Sequence, residues 1–293
     1  MTPPGTSRGG GGRPAKRTLA SRLSELRGPH GLSILPSVPL MPAPETAADE
    51  ILVASYNVHK CVGTDRRFDP ARIAAVIAEI QPDILAVQEA DRRFGRRTGL
   101  LDTNALQECG LSLLPVSRLP DGHGWHGNAL LVRRGTALEV QRLTLPGAEP
   151  RGAVIAELEL PAGKLRIVAA HFGLLRRCRL RQAATILEAI GRGASMPTLM
   201  LGDLNEWRPG RRSSLRPLES LFGSVAFGPA SFPSRMPVFA LDRIFGWPRG
   251  VVRDVQVHNT PLARVASDHL PLKARLSLTA AQGAPPSEIA AAA

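Results

Sequence analysis

The sequence predicts an α/β domain built from two packed, mainly antiparallel sheets with helices on the outside. Three observations carry this expectation. Strand-sized apolar stretches outnumber helical stripes over residues 49–279. No long strand–helix–strand alternation is present, nor any GxxxxGK phosphate loop, as a doubly wound parallel sheet would favour. The chain has 293 residues, 43% of them apolar, enough for a sizeable core.

Each element has a local reason. Ile51 to Val58 alternates and is rich in strand formers. Asp69 followed by Pro70 reads as a helix N-cap with proline at the first helical position. Ile73, Val76, Ile77 and Ile80 supply that helix's apolar stripe, and Pro82-Asp83 stops it. Ile84 to Val87 is a short buried strand. Successive strands follow at Asn128 to Val132, Ala137 to Leu145, Ala153 to Leu160 and Leu165 to Ala170. Arg176 to Ile190 reads as a helix ended by Gly191. Thr198 to Leu201, Leu241 to Phe245, Val251 to Val257 and Leu270 to Leu278 complete the strands.

The flanks differ. Residues 1–48 are rich in Pro and Gly and carry Arg8, Arg13, Lys16, Arg17, Arg22 and Arg27 against Glu25 and Glu45. Such a segment buries too little apolar surface to offset chain entropy, so a disordered basic tail is expected. Residues 280–293 read as a second tail, and nothing inside 49–279 divides the intervening domain.

Formal charge is +12, carried almost wholly by arginine, since only Lys16, Lys60, Lys164 and Lys273 are lysines. The surplus suits phosphate-bearing partners: nucleic acid, phosphoesters or the head groups of an anionic membrane surface. Composition bias or solubility explains the same surplus equally well. No run approaches the roughly 20 apolar residues of a membrane span. Cys61, Cys109 and Cys178 are odd in number and lack metal-ligand spacing, so reduced thiols are expected. The first residues lack the apolar core of a secretory signal. A cytoplasmic monomer is the expectation.

The chemical signal is a set of polar residues where strands run out. Asn57 and His59 follow the first strand, Gln88-Glu89 the second, and His171 ends Leu165 to Ala170. Asp203 and Asn205 follow Leu201, Asp242 sits in Leu241-Asp242-Arg243-Ile244, and Ser267-Asp268-His269 precedes the last strand. Each alone is ordinary, because a lone Asp after a strand is usually a turn or cap. Together they form a convergent rim if the strand ends meet. The inventory is oxygen-rich and lacks Cys or multi-His clusters, which suits Mg²⁺ or Mn²⁺ rather than zinc. No Gly-x-Ser-x-Gly elbow lies within residues 49–279. Metal-assisted phosphoester hydrolysis is the natural reading.

In this order, Asn57, Gln88-Glu89, His171, Gly202-Asp203-Leu204-Asn205, Asp242 and Ser267-Asp268-His269 resemble the endonuclease/exonuclease/phosphatase (DNase I-like) superfamily, and a bacterial subgroup of it in particular. The resemblance spans about residues 50–278 and implies a four-layer α/β sandwich. It implies Glu89 as the main metal ligand with Asn57 close by, and Asp268 holding or orienting the Mg²⁺, for which Mn²⁺ is a substitute. It implies that Asp203 and Asn205 position water and phosphate, that Asp242 fixes the tautomer of His269, and that His171 binds phosphate or assists the leaving group. Which of Asp203 and His269 takes the water's proton stays open. Arg151 and Asn128 are weaker candidates for phosphate contact, each with an ordinary loop reading beside it.

The implied activity is a metal-dependent phosphodiesterase acting on nucleic acid (an endonuclease) or another phosphodiester. Phospholipid, sphingomyelin or inositol-phosphate hydrolysis is the alternative within the superfamily. A catalytically silent anion-binding module is the alternative outside it. Arginine clusters at Arg92 to Arg97, Arg176 to Arg181 and Arg208 to Arg212 trail the site segments and read either as a ring around its rim, which would fit a polyanionic substrate, or as solvated helix and loop faces.

Overall fold

The computed structural model describes residues 50–278 except 194, 226 and 227, together with Met1 and two short strands before residue 50. Those strands are β1 (Ser33–Leu35) and β2 (Val38–Pro39). Both pair antiparallel with β7 (Thr136–Leu145), so these two pieces of the expected disordered tail are sheet. The remainder of the expected tails, 1–48 and 280–293, lies outside the described residues apart from Met1.

The first sheet runs β1-β7-β8-β9-β10-β11, with β8 at Arg151–Leu160, β9 at Gly163–His171, β10 at Thr198–Asp203 and β11 at Asp242–Trp247. The second runs β12-β13-β3-β4-β6-β5. Its strands are β3 (Ile51–Asn57), β4 (Ile84–Gln88), β5 (Ser112–Leu113), β6 (Ala129–Val132), β12 (Val252–Val257) and β13 (Leu272–Leu276). Pairing is antiparallel except β3 with β4 and β9 with β10. Those two parallel pairs each need a helical crossover. It is α1 (Pro70–Ile80) in one case and α3 (Arg176–Gly191) in the other.

Side chains on a strand alternate between faces, and the burial follows this. Ile84 and Ala86 of β4 face the space between the sheets, whereas Leu85 and Val87 face α1. In β10, Leu199 and Leu201 face inward and Met200 faces α3. Strands covered on both faces read as continuous apolar runs rather than alternating ones. Three apolar clusters therefore separate four layers: helices, sheet, sheet, helices. Each fully buried Ile or Leu in them contributes about 1.5–3 kcal/mol.

Asp69 caps α1 by accepting from the Arg72 backbone N–H, and Gln81 closes the helix in the left-handed conformation. Three further helices, α2 (Thr103–Glu108), α4 (Glu219–Phe222) and α5 (Pro261–Ala266), are absent from the sequence expectation. Each is too short for a periodic stripe. α5 nonetheless carries the signal used for α1: Thr260 accepts from the Ala263 N–H, and Pro261 holds the first position. Cys61 and Cys178 are buried, Cys109 is half-buried, and all three are free thiols.

Candidate active site

Strand register brings the site together. Asp203 is paired with His171 across the β10/β9 ladder and with Asp242 across β10/β11. Directly opposed residues share a face. Asp203 lies two residues beyond Leu201, His171 two beyond Ala169, and Asp242 two before Ile244, all inward-facing. The period of two therefore points all three side chains into the gap between the sheets. Asn57 does the same from the other sheet, two alternations after Val53.

The gap is bridged at one oxygen. Asp203 Oδ2 accepts from Asn57 Nδ2 at 2.9 Å, lies 3.3 Å from His171 Nε2 and faces His269 Nε2 at 3.8 Å. Its other oxygen accepts the Asn205 backbone N–H at 3.0 Å. Asn205 adopts a left-handed φ of 52° and donates its amide to Phe172 O, tying this turn to the end of β9. The preceding Gly202 is obligatory: a Cβ there would sit 1.8 Å from Ala170 O. The Gly-Asp-x-Asn pattern is thus a steric and hydrogen-bonding unit.

His269 Nδ1 meets Asp242 Oδ2 at 2.8 Å, and Ser231 donates its hydroxyl to the same oxygen. The Phe232 ring packs against the imidazole with centroids 4.8 Å apart. Burial disfavours the imidazolium, but the Asp242 and Asp203 carboxylates outweigh burial and raise the His269 pKa to about 10. Burial likewise pushes Asp203 up. The charges of His171 and His269 and the hydrogen bonds from His171 and Asn57 overcome it, so Asp203 stays well below the usual carboxylate range.

Glu89 follows β4 with a left-handed φ of 59° and pairs with Lys60 Nζ at 2.6 Å. Burial opposes its charge, yet His171 and Lys60 hold its pKa below normal. Asp268 is part-exposed, 3.9 Å from His59 Nδ1. Asn57 Oδ1 accepts the His59 backbone N–H at 3.0 Å, and Ser267 donates its hydroxyl to Asn57 O at 2.7 Å. Among the described residues, Asp203, Asp242 and His269 bring three ligand-type atoms within 4.8 Å of one another; Glu89 and Asp268 stand outside that triangle.

Arg151 joins the site. Its Nη1 lies 2.9 and 2.8 Å from the two ring nitrogens of His171. Its Nη2 donates to Glu149 Oε2 at 2.7 Å. Glu149, which the sequence did not single out, also accepts from the Leu174 N–H and Arg93. Ser231 is a second omission, because a lone serine in a loop carries no sequence signal. Asn128 has another job than phosphate contact. Its amide donates to Trp125 O and Gly152 O, and it is fully buried outside the pocket, so no donor remains for an anion. Arg179 also departs from the expected rim: it is wholly buried and ion-paired with Glu206 at 3.3 Å.

A pocket of about 370 Å³ opens beside Glu89, Lys60, Arg151 and His171. Arg92, Arg93 and Arg97 line it, so one of the three arginine clusters does reach the site.

The sequence profile described as Endonuclease/Exonuclease/phosphatase family matches residues 54–269. No curated protein matches the chain at a significant level. Solved structures do. An endonuclease/exonuclease/phosphatase from Bacteroides vulgatus is 18% identical with a TM-score of 0.60, over 78% of this chain and 99% of that one. The human Nocturnin catalytic domain with bound sulfate anion is 22% identical with a TM-score of 0.59, over 78% and 94%. An endonuclease/exonuclease/phosphatase from Beutenbergia cavernae is 21% identical with a TM-score of 0.58, over 78% and 72%. At these identities the likeness is one of fold. The profile match, which spans most of the sequence, places the chain in the endonuclease/exonuclease/phosphatase family of phosphoester hydrolases.

Proposed function

We propose that the protein is a divalent-metal-dependent phosphodiesterase in which a water molecule attacks phosphorus. One observation carries the reading: Asn57, His171 and His269 converge from both sheets on a single carboxylate oxygen of Asp203. A buried, ionised carboxylate beside an imidazolium suits an attacking water on one side and a phosphate on the other.

The donor set fits a hard cation. Glu89 offers a part-exposed carboxylate that already accepts one positive charge, the Lys60 ammonium. Asn57 Oδ1 makes one hydrogen bond and keeps a second lone pair. Asp268 adds a part-exposed carboxylate. These are the residues that would hold Mg²⁺ or Mn²⁺. A bound divalent ion supplies Lewis acidity to a phosphoryl oxygen and to the leaving alkoxide.

The chain's own groups do the rest. Asp203 accepts the hydrogen bond and then the proton of the attacking water, and Asn205 fixes the turn that aims it. His269 is already protonated at neutral pH, which makes it a cationic donor to the phosphoryl oxygens and not the base. Asp242 and Ser231 hold its ring. Arg151, set against the His171 ring, forms the second cationic wall for the phosphate, with Glu149 fixing the guanidinium.

The test is hydrolysis of bis(p-nitrophenyl) phosphate by the full chain with Mg²⁺, with Mn²⁺ and with EDTA. Metal-dependent turnover lost in Asp203→Asn is the expected result. Equal turnover in EDTA, or in the variant, rules the reading out. Anion binding without turnover under every condition would favour a silent module.

A further inference from the structure

We propose that the pocket beside the catalytic groups holds a second phosphate of the substrate, so that the substrate is a small molecule carrying two phosphate groups. The proposal rests on the phosphoesterase reading for its catalytic end and on separate residues for the rest. The volume of about 370 Å³ is that of a small-molecule site rather than a groove for a duplex.

The pocket's charge exceeds what one phosphate needs. Six cationic side chains line it against two carboxylates, Glu89 and Asp91. Lys60 answers Glu89. Asp91 is spent on the backbone: it accepts the His123 N–H at 2.7 Å and the Gly124 N–H at 2.9 Å. Arg151 belongs to the His171 wall. Arg93 is matched by Glu149 at 3.2 Å, and Arg96, outside the pocket, by Asp121 at 3.2 Å. Neither Arg92 nor Arg97 makes an ion pair among the described residues, although the Arg97 charge acts on Asp91, and both arginines line the cavity. Two guanidinium groups lining one concavity, neither committed to an ion pair, form a receptor for a polyvalent oxyanion.

The walls bearing them are fixed before any ligand arrives. Asp91 and Gly99 form an antiparallel bridge, and the Arg92 N–H donates to Thr98 O at 3.0 Å, closing the Arg92–Arg97 loop on itself. The Gly99 N–H donates to Asp121 O at 2.7 Å, locking that loop to its neighbour. The aromatic wall is equally set: Trp125 Nε1 donates to Leu143 O at 3.2 Å, and the Arg118 guanidinium lies 5.3 Å from the indole centroid. His126 stands beside it in a left-handed conformation, φ 50°. Burial and the charge of Arg97 keep its pKa below normal, so it offers neutral ring nitrogens. Such preorganisation spares a ligand the cost of ordering the loops.

Calorimetric titration of the full chain in Mg²⁺ with alkanediol bisphosphates of two to six carbons, and with the matching monophosphates, tests the assignment. At least one bisphosphate is expected to bind about ten- to hundredfold more tightly than its monophosphate, as one added charged hydrogen-bonded contact allows. Arg97→Gln, and separately the exposed Arg92→Gln, should remove most of that ratio. Monophosphate affinity and turnover of bis(p-nitrophenyl) phosphate should stay within about twofold. A wild-type ratio near one, or a ratio that survives both substitutions, overturns the proposal. So does affinity that keeps rising from dinucleotide to decanucleotide, which would mean an open nucleic-acid groove. Bisphosphate preference lost in Arg97→Gln in a protein that hydrolyses no ester would leave this pocket standing and sink the catalytic reading instead.

Discussion

Asp242 Oδ2 lies 2.8 Å from Nδ1 of His269, a residue 27 positions further along the chain. The contact fixes which ring nitrogen points at Asp203 and, with Asp203, keeps the ring charged at neutral pH. Asp242→Asn preserves shape but removes the charge. It is expected to lower kcat by about 10²–10⁴, the usual worth of a positioned acid–base group, with little change in KM. The His269 titration midpoint, followed by NMR, should fall. An unchanged rate together with a shifted midpoint would show that the imidazolium takes no part in turnover.

The same groups set the pH dependence of stability. His269 has a folded pKa near 10 against about 6.5 unfolded. Its contribution is complete below about pH 6.5 and is lost as pH climbs through about 10. Asp203 is depressed in the fold, so its contribution is complete above about pH 4 and fades as the solution is acidified below that. Melting temperature should therefore plateau between about pH 4 and 6.5 and decline toward pH 10. In His269→Gln the alkaline decline should flatten. Parallel curves for the two proteins would mean that this histidine titrates alike in both states.

Glu89 faces the pocket with Lys60 as its counter-charge. Glu89→Gln keeps the size and removes a hard anionic ligand. The Mg²⁺ concentration for half-maximal turnover should rise about 10- to 100-fold, the scale seen when a group supporting a metal site is removed, with the melting temperature of the metal-free protein little changed. An activation curve superimposable on wild type would assign the cation to other residues.

The strand ends were legible because register needs little tertiary information. Asn57, His171, Asp203 and Asp242 terminate apolar runs, and a period of two carries each into the gap between the sheets. The helix opened by Asp69-Pro70 was legible for the same local reason. What escaped depends on partners distant in sequence. Asn128 looked like a rim residue until its amide met Gly152 O on another strand. Arg179 sits in an arginine-rich stretch that reads as rim or solvated face, yet helix α3 turns it inward, where the Glu206 carboxylate in a later loop supplies its counter-charge. The pairing of the chain near residues 33–39 with β7 was hidden by a Pro- and Gly-rich composition.

That buried pair supports the last prediction. Arg179 Nε donates to Ser214 Oγ at 2.8 Å and Nη1 to Gly173 O at 3.2 Å, while Glu206 Oε2 accepts the Ser214 N–H at 2.7 Å. Arg179 thereby ties the loop after His171 to the loop after Asn205, a second link beside the bond from the Asn205 amide to Phe172 O. Removing one partner of a buried ion pair strands the other charge, at about 3–5 kcal/mol. Arg179→Met should lower the unfolding free energy by that amount, read as a lower urea midpoint at unchanged slope, and raise KM for the diester as the two turns loosen. Adding Glu206→Gln to Arg179→Met should cost less than the sum of the single changes, by about 1–3 kcal/mol of coupling. Additivity within about 0.5 kcal/mol would show that each side chain is held by its backbone partners alone and that the ion pair couples nothing across the site.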